Sequence, residues 1–163
     1  MDSFSSASPP QSGTGQPPPP PAVDGDREPE RPSLRVFLVE DSASIRERLS
    51  DFLTEPGKVE MIGFAATEAD AVRQLLAQPV DVAIVDLNLK EGTGIGVIES
   101  VRAQHATAPP TIIVLTNYAF PEFEVACRER GADYFFDKST QFGAVKVLLQ
   151  SIRPGGRSSR RMC

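Results

Sequence analysis

Two kinds of apolar pattern alternate along this chain. Val36-Phe37-Leu38-Val39 is an unbroken apolar run, as expected of a strand covered on both faces. Ile45, Leu49, Phe52 and Leu53 then recur at helical spacing. Val59 to Ala65 reads as a second strand, and Ala69, Val72, Leu75 and Leu76 as a second helical stripe. Val82-Ala83-Ile84-Val85 predicts a third strand, followed by a helix marked by Ile95, Ile98 and Val101. Pro109 and Pro110 punctuate the approach to a fourth strand, Ile112-Ile113-Val114-Leu115. Phe123, Ala126 and Cys127 predict a helix closed by Gly131. Tyr134-Phe135-Phe136 is a short fifth strand, and Val145, Leu148, Leu149 and Ile152 mark the last helix. Strand followed by helix, five times over, is an α/β pattern. Parallel strands need crossovers, and right-handed crossovers cover both faces of the sheet with helices.

The pattern is confined to one zone. Residues 1–33 are rich in Pro, Ser, Gly and Gln, with a proline run from Pro17 to Pro21. Such a stretch cannot bury enough apolar surface to offset the cost of ordering the chain, so it predicts a disordered Pro-rich tail. Residues 34–153 form the globular unit, and residues 154–163 read as a short flexible basic end. The formal net charge of -5 opposes non-specific nucleic-acid binding, which relies on Lys and Arg. No apolar run approaches the ~18 residues of a membrane span, and the N-terminus has no secretion-signal pattern. Cys127 reads as buried and Cys163 as part of the loose end, so the two suggest no disulfide and a reduced, cytoplasmic setting.

In open parallel sheets, chemistry collects beyond the carboxyl ends of the strands. Glu40 and Asp41 follow the first strand, Asp86 the third, Thr116 the fourth and Lys138 the fifth. Singly, each has a plainer reading: Asp41 and Thr116 as helix caps, Glu40 as a charge at a helix start, Asp86 as a strand terminus, Lys138 as a solvated charge. Together they put three carboxylates on one rim, and their repulsion calls for a counter-charge. A hard divalent cation supplies one, and Lys138 another. Such a rim suits phosphoryl transfer to a carboxylate, with Asp86, the central one, as nucleophile.

These residues resemble the receiver domain of bacterial two-component response regulators. The resemblance covers about residues 34–153. It rests on Val39-Glu40-Asp41-Ser42, Val85-Asp86-Leu87-Asn88-Leu89, Gly92-Thr93-Gly94, Leu115-Thr116-Asn117, and Gly131-Ala132-Asp133 leading to Lys138. It implies a doubly wound five-stranded parallel sheet of order 2-1-3-4-5, as in flavodoxin and the chemotaxis regulator. It implies Asp86 as phosphoacceptor, Mg2+ held by Glu40, Asp41, Asp86 and the backbone carbonyl of Asn88, Lys138 paired with the phosphoryl group, and Thr116 and Phe135 as switch residues. The donor would be a sensor histidine kinase or histidine phosphotransfer protein, since the only histidine, His105, reads as a surface residue.

Some positions depart from the family pattern. Ser139 stands where a proline, often cis, usually follows the lysine; a cis Lys138–Ser139 bond would cost about 3 kcal/mol against under ~1 for proline, so the course of the loop after the fifth strand is left open. Lys90 replaces a common proline after Asp86, and Tyr118 follows Thr116 closely enough to shield a phosphoryl group from water. The expectation is a stand-alone signalling receiver, not an enzyme beyond its own phosphorylation and dephosphorylation. It would act on a partner protein through the face of the fourth helix, fifth strand and fifth helix, near Phe120, Phe123 and Phe135, with dimerisation through these elements left open. Two rivals remain. An aspartate-based phosphatase expects a second acid where Asn88 stands, and a pseudo-receiver would keep the fold as an unphosphorylated interaction module.

Overall fold

The unbroken apolar runs form central parallel strands, because residues on both faces of those strands have helices to pack against. In the computed structural model, which describes residues 32–104 and 108–155, the elements run β1 (Leu34–Val39), α1 (Ala43–Leu53), β2 (Val59–Ala65), α2 (Glu68–Ala77), β3 (Val82–Val85), α3 (Gly94–Gln104), β4 (Thr111–Thr116), α4 (Pro121–Glu129), β5 (Tyr134–Asp137) and α5 (Phe142–Ser151). All strands are parallel, in the order β2-β1-β3-β4-β5. This is the predicted doubly wound order. The readings of residues 1–31, of His105 and of residues 156–163 with Cys163 fall outside the described residues. Within them, no helix is long and apolar enough to cross a membrane.

Alternation along each strand sorts the side chains onto two cores. Phe37, Val39, Ala83, Val85, Ile112 and Val114 pack with Leu75 of α2, Ile98 of α3 and Cys127 of α4. Leu34, Val36, Leu38, Ile84, Ile113 and Leu115 pack with Leu49 and Leu53 of α1 and Val145 and Leu149 of α5. The sheet therefore carries α1 and α5 on one face and α2, α3 and α4 on the other.

Local chemistry sets the helix ends. Ser42 accepts the Ile45 N–H and caps α1, Thr67 accepts the Asp70 N–H and caps α2, and Pro121 opens α4. Past α4, Gly131 takes φ +112°, the left-handed conformation that ends many helices, as its position predicts. Arg102 fastens this corner. Its guanidinium donates to the carbonyls of Gly131 and Pro110 and to the Asp133 carboxylate, which also accepts the Ile112 N–H. Cys127 is buried as expected, and burial pushes its thiol up to about 11, so it is protonated at neutral pH.

Two aromatics differ from their periodic reading. Phe52 is 36% exposed, and its ring packs on Phe142 at 5.0 Å with Lys146 above it. Phe123 is 40% exposed and packs on Phe120. Each helix meets the sheet along a narrow stripe, through Leu49 and Leu53 in α1 and Cys127 in α4. The neighbouring apolar positions are left turned toward the helix flank.

Candidate functional site

The pairing of β1 with β3, β3 with β4 and β4 with β5 brings four strand ends onto one rim. Backbone hydrogen bonds set the heights of the residues that leave those ends. Glu40 N–H donates to Ala65 O, Asp86 N–H to Val39 O, and Lys138 N–H to Thr116 O. Glu40 leaves β1 only 2% exposed, and Asp86 leaves β3 8% exposed. Asp41 stays exposed beside them, and carboxylate oxygens of all three lie within 4.8 Å of one another. Thr116, the last residue of β4, is fully buried.

Lys138 is the counter-charge that this crowding demands. Its Nζ donates to Glu40 Oε2 at 2.6 Å and to Asp86 Oδ2 at 2.8 Å, and so sits between the two buried carboxylates. The remaining oxygens have backbone partners: Glu40 Oε1 accepts the Ser42 N–H at 3.2 Å, and Asp86 Oδ1 the Asn88 N–H at 3.4 Å. Burial holds the Glu40 carboxyl above its ordinary range, against the lowering effect of Lys138. Burial pulls Lys138 the other way, but its hydrogen bonds to Asp86 and Glu40 outweigh that and leave it above the usual lysine range. Among the described residues no buried side-chain polar atom lacks a hydrogen-bond partner.

The other residues singled out by sequence lie on the same strands and the loops that leave them. Thr116 Oγ1 accepts the Tyr118 N–H at 3.1 Å, and the hydroxyl retains an O–H to donate. Asn88 is exposed and forms an antiparallel bridge with Thr93. Phe135 lies in β5, half-buried against the core beneath α2, α3 and α4. The loop at Ser139 holds its shape without proline. Both the N–H and the hydroxyl of Ser139 donate to Asp137 Oδ1, and the Asp137 N–H donates to Gln141 Oε1. These Ser139 bonds hold the Asp137 carboxyl below its usual range. No cis peptide occurs among the described residues.

One residue of the site escaped sequence reasoning. Arg46 of α1 donates from Nη1 to the Glu40 backbone carbonyl at 2.8 Å, and its guanidinium lies 4.3 Å from the centre of the Phe64 ring. It fastens the turn that carries Glu40 and Asp41. The one signal was a cation one helical turn after the cap, which alone does not say which carbonyl it reaches.

What the arrangement can do is clear from its atoms. It is an oxygen-only, three-carboxylate cluster able to hold a hard metal ion, with a fixed ammonium group between Glu40 and Asp86.

Comparison with known proteins agrees with this fold. Residues 36–150 match the family model described as the response regulator receiver domain. A protein-glutamate methylesterase/protein-glutamine glutaminase of Rhodopseudomonas palustris is 30% identical over 115 residues, which is 71% of this chain but 28% of that protein. The nitrate/nitrite response regulator protein NarP of Escherichia coli is 28% identical over 133 residues, 81% of this chain and 59% of NarP. The chain thus spans about a third of the length of the methylesterase relatives it matches. Among solved structures, the signal receiver domain of the putative response regulator NarL from Mycobacterium tuberculosis superposes with a TM-score of 0.65 at 26% identity, covering 74% of this chain and 96% of that one. The response regulator domain of Thermotoga maritima CheB gives 0.61 at 26% identity, covering 73% and 92%. Fold, strand-end chemistry and relatives agree, and this chain belongs to the response regulator receiver domain family of two-component systems.

Proposed function

We propose that this receiver accepts a phosphoryl group on Asp86 and signals by a change of surface shape. The observation that carries the reading is Lys138 lodged between Glu40 and Asp86, with Asp41 completing the carboxylate cluster. One Asp86 carboxylate oxygen forms a bond to the donor's phosphorus. The bond from phosphorus to the donor's nitrogen (in a phosphohistidine) or oxygen (in acetyl phosphate) breaks, and its electron pair leaves with the donor. Glu40, Asp41, Asp86 and the Asn88 backbone carbonyl are the residues we assign to Mg2+, which the all-oxygen donor set suits. When bound, Mg2+ supplies neutralisation of charge on the phosphoryl oxygens. Lys138 shifts a hydrogen bond from Asp86 to the new phosphoryl group, and Thr116 gives its O–H to another phosphoryl oxygen.

The donor we assign is a histidine kinase or histidine phosphotransfer protein, and the protein acts in the cytoplasm as a phosphoacceptor without a second substrate. The Asn88 carboxamide is far too weak an acid to serve as a general acid, which disfavours phosphatase chemistry of the aspartate type. The unit that carries this function spans residues 34–153, flanked by tails. Its output face is α4-β5-α5, where the Phe120–Phe123 pair at the start of α4 is exposed, and a partner protein reads the change there. Phosphorylation favours one of two surface shapes by its differential interaction with them.

The test is intact mass after incubation with acetyl phosphate, with and without Mg2+, for wild type and Asp86→Asn. One added phosphoryl group that needs both Mg2+ and Asp86 is expected. No adduct on the wild type would make the chain an unphosphorylated interaction module. Tyr118, half exposed, donates its N–H to Thr116 Oγ1 at the end of β4. Tyr118→Ala is expected to shorten the lifetime of the phosphorylated form, and an unchanged lifetime removes Tyr118 from its protection.

A further inference from the structure

We infer that Glu68, the first residue of α2, is a positioning residue for the loop between Asp86 and α3, where it completes the cap of a helix other than its own. The inference rests on the phosphoacceptor reading only in naming Mg2+ as the group that senses the position.

The argument begins at the start of α3. Thr93 precedes the helix, and its Oγ1 accepts the Gly96 N–H at 3.1 Å, as a helix cap does. In a complete capping box the side chain three residues after the cap reaches back to the cap residue's own N–H. That position is Gly96, which has no side chain. The carboxylate comes instead from 25 residues upstream: Glu68 Oε2 accepts the Thr93 N–H at 2.8 Å.

The space around it is shaped for this. A Cβ on Gly96 would lie 2.3 Å from Glu68 Oε1, and one on Gly92 would lie 2.4 Å from Glu68 Cβ. Gly92 also holds φ +78°. Two glycines thus make the slot that Glu68 fills. Backbone bonds stitch the same two loops together: Glu68 N–H to Glu91 O, Lys90 N–H to Ala66 O, and a parallel bridge between Thr67 and Glu91. From the clasp to the chemistry is a short path. Thr93 bridges Asn88, Gly94 N–H donates to Leu87 O, and Asn88 N–H donates to Asp86 Oδ1.

The plainer role for Glu68 is an acid in the first turn of α2, favourable to that helix's own dipole. That role needs the charge but not Thr93, and it predicts nothing at Asn88. The two are separated by variants that keep or lose the acceptor. Glu68→Ala removes it, Glu68→Gln keeps an acceptor oxygen without the charge, and the double change Glu68→Ala with Gly96→Glu returns a carboxylate at the ordinary capping-box position within α3.

Two readouts are taken on the whole chain: amide exchange of Thr93 and Asn88 in metal-free protein, and Mg2+ affinity by calorimetric titration. Glu68→Ala is expected to speed exchange of the Thr93 and Asn88 amides at least several-fold and to weaken Mg2+ binding by up to about ten-fold, the low end for loss of a ligand's own partner, because Glu68 reaches Asn88 only through Thr93. Glu68→Gln and the double variant are expected to recover most of both. Equal weakening by Glu68→Gln and Glu68→Ala, with Asn88 exchange unchanged in both, would reduce Glu68 to a charge and overturn the inference. A wild type that takes up no Mg2+ counts against the phosphoacceptor reading instead, and the metal-free exchange then decides the clasp by itself.

Discussion

Lys138→Met is expected to slow phosphorylation of Asp86 by about 10²- to 10³-fold, the usual loss when one preorganised charge aimed at a transition state is removed. It is also expected to destabilise the fold. Lys138 Nζ is the shared partner of Glu40 and Asp86, and the three side chains are almost wholly removed from water. Deleting one member of a buried pair costs about 3–5 kcal/mol because the other charge is left uncompensated. Against a domain stability of about 5–15 kcal/mol, that is a large share. Urea denaturation measures it. Added Mg2+ is expected to narrow the deficit, since a cation among the same carboxylates takes over the charge that Lys138 provided.

The pH dependence of that deficit has a definite sign. Burial already holds the Glu40 carboxyl above its ordinary value, and loss of Lys138 removes what opposes that rise. A carboxyl with a raised folded value binds its proton more tightly folded than unfolded, so it stabilises the fold as pH falls toward the unfolded value of about 4.3. Lys138 itself is held above its ordinary value, so its contribution is fully present below about 10.4 and lost as pH rises through the folded value. The difference between wild type and Lys138→Met is therefore expected to be greatest through the neutral range and to shrink on acidification. A difference that stays flat from neutral to pH 4 would mean that the deficit does not come from leaving the Glu40 and Asp86 charges without their partner.

Gly94→Ala is expected to be the most damaging single-methyl change near the site. A Cβ at Gly94 would lie 2.2 Å from the Asp86 carbonyl oxygen and 2.9 Å from Leu87 Cα. Both are backbone atoms, so no side-chain rotation can relieve the clash. The first turn of α3 must then back away from the residue that carries the phosphoacceptor. Overpacking costs about 1–3 kcal/mol, and with backbone on both sides the upper end is expected. Displacement of a reacting group by about 1 Å costs on the order of 10² in rate, so phosphorylation should fall by about that factor. The control is Gly143→Ala in α5, where a Cβ meets nothing within 4 Å. That change should leave phosphorylation alone and stabilise α5 by up to about 1 kcal/mol, the difference in helix propensity. Equal effects of the two substitutions would remove the contact with Asp86 as the cause.

The amino-acid sequence by itself determined the order of elements and which residues stand at the strand ends. Runs such as Val36 to Val39 and Ile112 to Leu115 have no polar face to turn to water, so only a sheet covered on both sides satisfies them. In such a sheet the residues at the carboxyl ends of β1, β3, β4 and β5 share a rim, which is why Glu40, Asp41, Asp86, Thr116 and Lys138 could be named from their places in the chain.

Tertiary structure alone decided how those residues are partnered. Lys138 stands 98 residues from Glu40, and nothing local says that its ammonium lies between two carboxylates instead of facing solvent. Phe52 and Phe123 fit their helical stripes by period, yet the narrow contact of α1 and α4 with the sheet turns them outward. Glu68 has the sequence surroundings of any acid in a first helical turn, and only the meeting of α2 with the start of α3 gives it Thr93 and the space over Gly96. Periodicity reports which face a residue takes on its own element. Hydrogen bonds and close contacts between elements depend on the distance at which those faces meet, and that distance is set by packing.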